Sequence, residues 1–355
     1  MRTSLGERVL DLAVSGFLWG IRILIVAAII IGTVATIRAG KYTSEQWIDF
    51  VVFGISQGSI YALIALGYTM VYGILRMINF AHGDIFMTGA FGAYFLATWL
   101  NTIGFIDSNP LLGLLIPIMF AMIVAASIAM LVERIAYRPL RGAPRLVPLI
   151  SAIGASFFLE YAFRGFFGPG VYAYPPIKAL EGQWTFFGYG ILKVQVVVAV
   201  SAFIMMAILY SIVMFTKAGK AMRAVSESKD TAALMGIDVN RIIVTTFALG
   251  AAMAGAAGVL YSLIFRQVGF FMGFTPGIKA FTAAVLGGIG NIPGAMVGGL
   301  VLGVFESVGP SLFLEGLGIP RPYQLKDAIA YTMLVMILLF RPQGILGERL
   351  ATKKA

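Results

Sequence analysis

Apolar stretches at 17–37, 48–73, 112–132, 146–166, 194–215 and 242–264 are each long enough to cross a bilayer, and nothing else in the sequence constrains the fold as strongly. About 20 apolar residues in helical form span the hydrocarbon core. No water reaches the backbone there, so each crossing must satisfy its own N–H and C=O groups, which a helix does and an open sheet edge does not. Two shorter stretches, 84–100 and 326–340, bring the expected number of full spans to about eight. A further hydrophobic segment, 279–307, is too long for one untilted crossing and is broken by Gly287, Gly288, Gly290, Asn291 and Pro293. The expected fold class is an all-α polytopic membrane protein of about 8 full spans plus this Gly/Pro-broken segment. With 59% of residues apolar and 12% charged, the composition is not that of a soluble domain.

The net charge of +10 lies in the short loops between these stretches. Cytoplasmic loops of membrane proteins carry the Lys and Arg excess, so this charge reports topology and implies no nucleic-acid partner. The longest polar run holds Lys217, Lys220, Arg223, Lys229 and Arg241 and is therefore placed inside. ERIAYRPLRGAPR (133–145), with Arg134, Arg138, Arg141 and Arg145, is placed inside for the same reason, as is the C-terminal RPQGILGERLATKK. The loop containing Asp107 has no cation, and 167–193 is rich in Gly, Pro and aromatics; both suit the outside. Parity then requires 279–307 to cross twice, or to re-enter and return, if 308–325 is also outside. A single kinked helix is the competing reading of that segment.

Residues 1–46 begin with Arg2 and Arg8 and run apolar from Phe17 to Ile37 around Arg22. A signal peptide would have an apolar region of roughly 7–15 residues, so a retained span is expected, with Arg22 snorkelling towards the cytoplasm. In the second span Gln57, Tyr61, Ala65, Tyr68, Thr69 and Tyr72 recur at helical spacing on one face. A polar stripe turns away from lipid; it can line a substrate path or glue helices together, and Gly54 and Gly58 favour close packing. Arg76, Asn79, His82 and Asp84 lie between two apolar runs, where a hydrogen-bonded turn and a proton relay both fit. Glu160 and Arg164 stand in the i,i+4 order that favours an ion pair. Gly250, Ala254 and Gly258 mark a close helix contact.

Several chemistries are excluded. There is no cysteine and a single histidine, so disulfides, thiolate sites, imidazole metal clusters and His-containing triads are not expected. Walker A is absent, which leaves any ATP and Mg to a partner chain. GGIGNIPG has no βαβ context, so it is not a dinucleotide site. Transport by an ATP-independent channel or secondary transporter remains compatible with these residues; no nucleophile–base pair supports an enzyme.

Within 217–241, Ala221 to Met235 is rich in helix formers, Gly236 is a stop, and Asp238 with Asn240 is a start. The run fits one short cytoplasmic helix, or an ordinary loop that only fixes orientation. TAALMGID preceded by GKAMRAVSES resembles the degenerate EAA loop of ABC-importer permeases. TMVYGILRMINFAHGD, ERIAYRPLR, AFTAAVLGGIGNIPGAMVGG and RPQGILG follow the order seen in the permeases of branched-chain amino-acid importers, so the resemblance extends from about Trp47 to Gly347. It implies an ABC-importer permease fold over 47–347; the extra N-terminal span (1–46) and the basic cytoplasmic tail (348–355) are extensions that the resemblance does not cover. It also implies a sister permease subunit, two ABC ATPase subunits, an extracytoplasmic solute-binding protein, and residence in the inner membrane. No cofactor is expected in this chain. Family substrates are leucine, isoleucine and valine, sometimes other amino acids, with urea or short amides in close relatives. The segment expected to dock on an ATPase carries Gly219, Arg223, Glu227, Asp230, Ala232, Ala233 and Gly236. Candidates for the substrate path are Gln57, Tyr61, Thr69, Asn79, His82, Gly288 and Asn291.

Overall fold

The computed structural model describes residues 5–144, 146–186 and 188–347. Arg2, Arg145 and the tail 348–355 lie outside the described residues. Ten of the described helices, each of 14 residues or more, build the bundle. They are α1 (Leu5–Ala39), α2 (Ser44–Leu75), α3 (His82–Thr102), α5 (Pro110–Val132), α6 (Leu146–Phe167), α7 (Lys193–Phe215), α10 (Val239–Phe265), α11 (Phe274–Gly287), α12 (Ile292–Gly309) and α13 (Lys326–Phe340). A one-turn α4 (Phe105–Ser108) joins α3 to α5, and the short α8 (Lys217–Glu227) and α9 (Lys229–Leu234) fill the basic run. Among the described residues, eight helical segments are long and apolar enough to cross a membrane.

The bundle is organised on α2. Thr43 and Gln46 start it with a reciprocal capping box, and Arg76 ends it in the left-handed region at φ 55°. Residues 56–71 of α2 are buried continuously, because α3, α7, α10, α11 and α12 surround it. Small residues make that density possible. A Cβ on Gly58 would lie 2.7 Å from the Gly299 carbonyl oxygen, and one on Gly54 would lie 2.8 Å from the Val304 Cα. One on Gly303 would overlap the Gly58 backbone. The two helices thus touch backbone to backbone, the small-residue packing that replaces hydrophobic driving force in lipid. The Gly250–Gly258 stripe of α10 works similarly: a Cβ at Gly250 would meet Gly67 at 2.9 Å, and one at Gly258 the Phe86 carbonyl at 2.7 Å.

The Gly-broken segment is a helical hairpin, α11 down and α12 back, rather than one kinked crossing. Gly288 adopts φ 106° at the turn, and the Asn291 side chain caps α12 by accepting from the Gly294 N–H at 3.0 Å. The last described residues complete it: Ile345 and Leu346 N–H donate to the terminal carbonyls of α11, Leu286 and Gly287, at 2.8 and 3.0 Å. The break lies at the end of the bundle where α13 finishes, not at mid-bilayer. That hairpin puts 308–325 at the end opposite the basic loops, as parity required.

The two ends are chemically distinct. At one, Arg76 Nη2 reaches the Ser226 carbonyl at 3.4 Å, and Arg141 bridges Glu133 and Asn240. These basic loops make it the cytoplasmic end. At the other, β1 (Val171–Ala173) pairs antiparallel with β4 (Gln267–Gly269), and β2 (Gln183–Phe186) forms a hairpin with β3 (Tyr189–Leu192). Of the eight candidate spans, the one in α1 is the least buried within the chain. It is fastened outside by Lys41 and Tyr42 on Glu315, and inside by the Arg22 guanidinium lying 3.7 Å over the Phe340 ring. One sequence expectation is corrected here. Glu160 and Arg164 form no ion pair: Glu160 turns towards Asp84, which accepts from Ser156, and Arg164 sits over Phe270 at 5.5 Å. The i,i+4 spacing was right for a pair on an isolated helix, but packing of α6 on α3 directs the carboxyl inwards.

Candidate functional site

The cytoplasmic corner between α7 and α10 is built residue by residue. Thr216 caps α8 by accepting from the Gly219 N–H at 3.1 Å. A Cβ at Gly219 would strike the Ile212 and Val213 carbonyl oxygens, so glycine lets α8 fold back against the end of α7. Arg223 then donates to the carbonyls of Val213 and Met214, at 2.5 and 3.2 Å, and caps α7. Met222 and Val225 are buried beneath. The single helix expected over Ala221–Met235 is two, because Ser228 leaves helical geometry and its hydroxyl accepts from the Thr231 N–H at 3.3 Å to start α9. Gly236, at φ 83°, ends that element, and Asp238 caps α10 through the Arg241 N–H.

What this corner presents to the cytoplasm is mixed. Glu227, Asp230 and Ala233 are exposed, whereas Ala232 is buried. Leu234 and Met235 are 88% and 78% exposed, the largest values for apolar side chains on the basic end among the described residues. Both lie in TAALMGID but are not among the residues expected to dock; two large apolar residues directly before a glycine stop, outside any span, were the available signal. Cations crowd nearby: burial, then the guanidinium groups of Arg141 and Arg76, push the Lys229 amine below its ordinary range.

A second polar centre lies inside the bundle, towards the outer end. Lys279 of α11 is ion-paired with Glu306 of α12 and, at 2.7 Å, with Asp327 of α13. Gln57 Nε2 donates to Tyr61 Oη at 2.5 Å and approaches Glu306 at 3.4 Å. Four helices are therefore pinned by charge and hydrogen bonds. Above them opens a cavity of about 450 Å³ between α2, α7, α12, the start of α13 and the β2–β3 hairpin, with Gln57, Gln195 and Glu306 among its walls. Lys279, Glu306 and Asp327 were missed from the sequence, although charges inside apolar segments are functional candidates on general grounds.

The seven sequence candidates for the path occupy three levels. Gln57 and Tyr61 join the polar centre. Thr69 lies lower, with a buried hydroxyl lacking a partner among the described residues. Asn79 accepts from the Tyr137 hydroxyl at 2.5 Å, and His82 packs edge-on against Tyr68 with ring centroids 4.8 Å apart. Gly288 and Asn291 stand at the cytoplasmic turn, where Asn291 also donates to the Leu346 carbonyl at 2.7 Å. Of these candidates, the cavity is walled by Gln57 alone.

A family profile described as branched-chain amino acid transport system / permease component matches residues 50–338. The chain is 44% identical over 306 residues to the high-affinity branched-chain amino acid transport system permease protein BraD of Pseudomonas aeruginosa, covering 85% of this chain and 96% of that one. It is 41% identical over 313 residues to LivH of Escherichia coli, covering 86% and 98%. A more distant likeness, 29% over 140 residues, covers 38% of this chain and 41% of the probable branched-chain amino acid transport permease protein LivM of Methanocaldococcus jannaschii.

Proposed function

Because the chain belongs to the family of branched-chain amino acid transport permeases, we propose that it carries leucine, isoleucine, valine or closely related amino acids through the inner membrane, handed over by an extracytoplasmic binding protein. It is a polytopic transport subunit of the ABC type, not an enzyme, and ATP hydrolysis resides in separate subunits. The observation that carries the substrate class is the 44% identity to BraD across nearly the whole of both chains. Similarity to both LivH-type and LivM-type permeases supports pairing with a sister permease. The exposed Leu234 and Met235, held out by a capped two-helix corner, are where an ATPase would dock. Two ATPases, holding ATP and Mg, would act on the paired permeases. Docking there transmits nucleotide-driven movement through α8 and Arg223 to α7, and through the Asp238 cap to α10.

The test is ATP-dependent uptake in vesicles holding the permease with its sister subunit, ATPases and binding protein. Accumulation of labelled leucine or valine that collapses without ATP is expected. Uptake of urea or acetamide without uptake of any branched-chain amino acid would overturn the substrate class, and ATP-independent equilibration would favour a channel.

A further inference from the structure

We propose that the outer cavity is a binding site for the zwitterionic head of a free amino acid, with the α-ammonium group held by Glu306 and Gln195 and the carboxylate by Lys326. This rests on the functional reading above and deepens it by naming the groups that recognise substrate inside the permease. The decisive observation concerns unpartnered atoms. Glu306 is 2% exposed and Gln195 is 8% exposed, both wall the cavity, and Glu306 Oε2 and Gln195 Oε1 have no hydrogen-bond partner among the described residues. Buried polar atoms are nearly always satisfied, so two orphans at one cavity call for an occupant.

Both orphans are acceptors. A carboxylate oxygen and an amide oxygen together ask for a donor that carries positive charge, and an ammonium group offers three N–H bonds. The other Glu306 oxygen is already held by Lys279, so the carboxylate is fixed before a ligand arrives. Lys326 stands on the same wall without an acidic partner among the described residues, free to meet a carboxylate. Asp49, also on the wall, adds negative charge. Phe50 and Phe53 supply an apolar face for a branched side chain. The cavity of about 450 Å³ lies within the range of ordinary small-molecule sites. Urea and short amides bring donors but no charge, and satisfy neither Glu306 nor Lys326 fully.

The chain has no native cysteine, so one introduced thiol reports on one place. Leu192 walls the cavity and is 40% exposed, which makes Leu192→Cys a mild change. Right-side-out vesicles with the assembled transporter are treated with a neutral impermeant thiol reagent, and the modification rate is followed against added ligand. Leucine and leucinamide, which keep the ammonium group, are expected to slow modification about fivefold at four times their dissociation constants. 4-Methylpentanoate, which lacks it, and potassium chloride are expected to leave the rate unchanged. Adding Gln195→Leu, which leaves the Lys279 ion pairs untouched, should raise the leucine concentration needed by about tenfold, the effect of removing one hydrogen bond to a charged group. Lys326→Gln should bring leucine down to the level of leucinamide. Protection by 4-methylpentanoate or by potassium chloride equal to that by leucine would overturn the assignment, as would Gln195→Leu without effect. Uptake measured on the same vesicles separates the two readings: ATP-driven leucine accumulation without this protection pattern refutes the site alone, whereas absence of accumulation refutes the functional reading.

Discussion

Replacing Leu234 by alanine isolates docking from folding. The side chain is 88% exposed, so its loss removes almost no packing within the chain. If an ATPase covers it, the substitution removes three carbon-sized groups at about 0.8 kcal/mol each, and scaling by the exposed fraction gives about 2 kcal/mol. At 1.4 kcal/mol per tenfold, docking should weaken about 30-fold. The assay is a titration of purified ATPase onto permease-containing vesicles stripped of it, read both as bound protein and as substrate-stimulated ATP hydrolysis. The midpoint for Leu234→Ala should move to about 30-fold higher ATPase concentration, with the maximal hydrolysis rate reached once binding saturates. Leu234→Asp, which forces a charge against the covered surface, should lose binding altogether. An unshifted midpoint in both variants would refute the argument, since no other contact could compensate for a carboxylate at the centre of the interface.

Further expectations concern packing, topology and pH. Gly303→Ala drives a methyl into the Gly58 backbone and should cost about 1–3 kcal/mol, seen as a lower thermal midpoint in detergent. Gly73→Ala, in the same α2 helix as Gly58 but with open space around it, should be neutral or stabilising by up to about 1 kcal/mol; equal loss in both would contradict the packing account. A thiol at Leu317 should react with an impermeant reagent from outside and one at Leu234 only from the cytoplasm; the reverse pattern would invert the α11–α12 hairpin. Lys41 and Tyr42 hold the Glu315 carboxyl below its ordinary value of 4.5. A depressed folded value gives stability that is present above 4.5 and lost as pH falls through the folded value. The thermal midpoints of wild type and Glu315→Gln should therefore converge on acidification, and a gap that persists at low pH would remove this contact from the account.

Much of the architecture could be read from spacing because lipid enforces it. The apolar lengths place the spans, the cations orient them, and Gly54, Gly58, Gly250 and Gly258 mark the close contacts. The cytoplasmic corner was legible as a location, but Ser228 was not recognisable as a break: a serine among helix formers gives no sign that its hydroxyl will cap the next turn. The polar stripe on α2 pairs Gln57 with Tyr61 one turn on, but α2 is buried on every side there, and the charged partner of Gln57, Glu306, comes from 249 positions away. Lys279, Glu306 and Asp327 lie on three different helices, and no local pattern joins them. Glu160 shows the opposite failure, where a sound local rule is overruled by what the neighbouring helix offers.

The capping of α11 by Ile345 and Leu346 has a consequence for biogenesis. During synthesis the α11–α12 hairpin enters the membrane before its terminal carbonyls can be covered, since the N–H groups that reach Leu286 and Gly287 are made more than fifty residues later. Until residues 345 and 346 have been made, the hairpin's cytoplasmic turn stays unlatched. A nascent protein stopped just after Phe340 would hold every described helix yet lack that latch. It would leave a loose turn on the basic end, where ATPase docking is proposed.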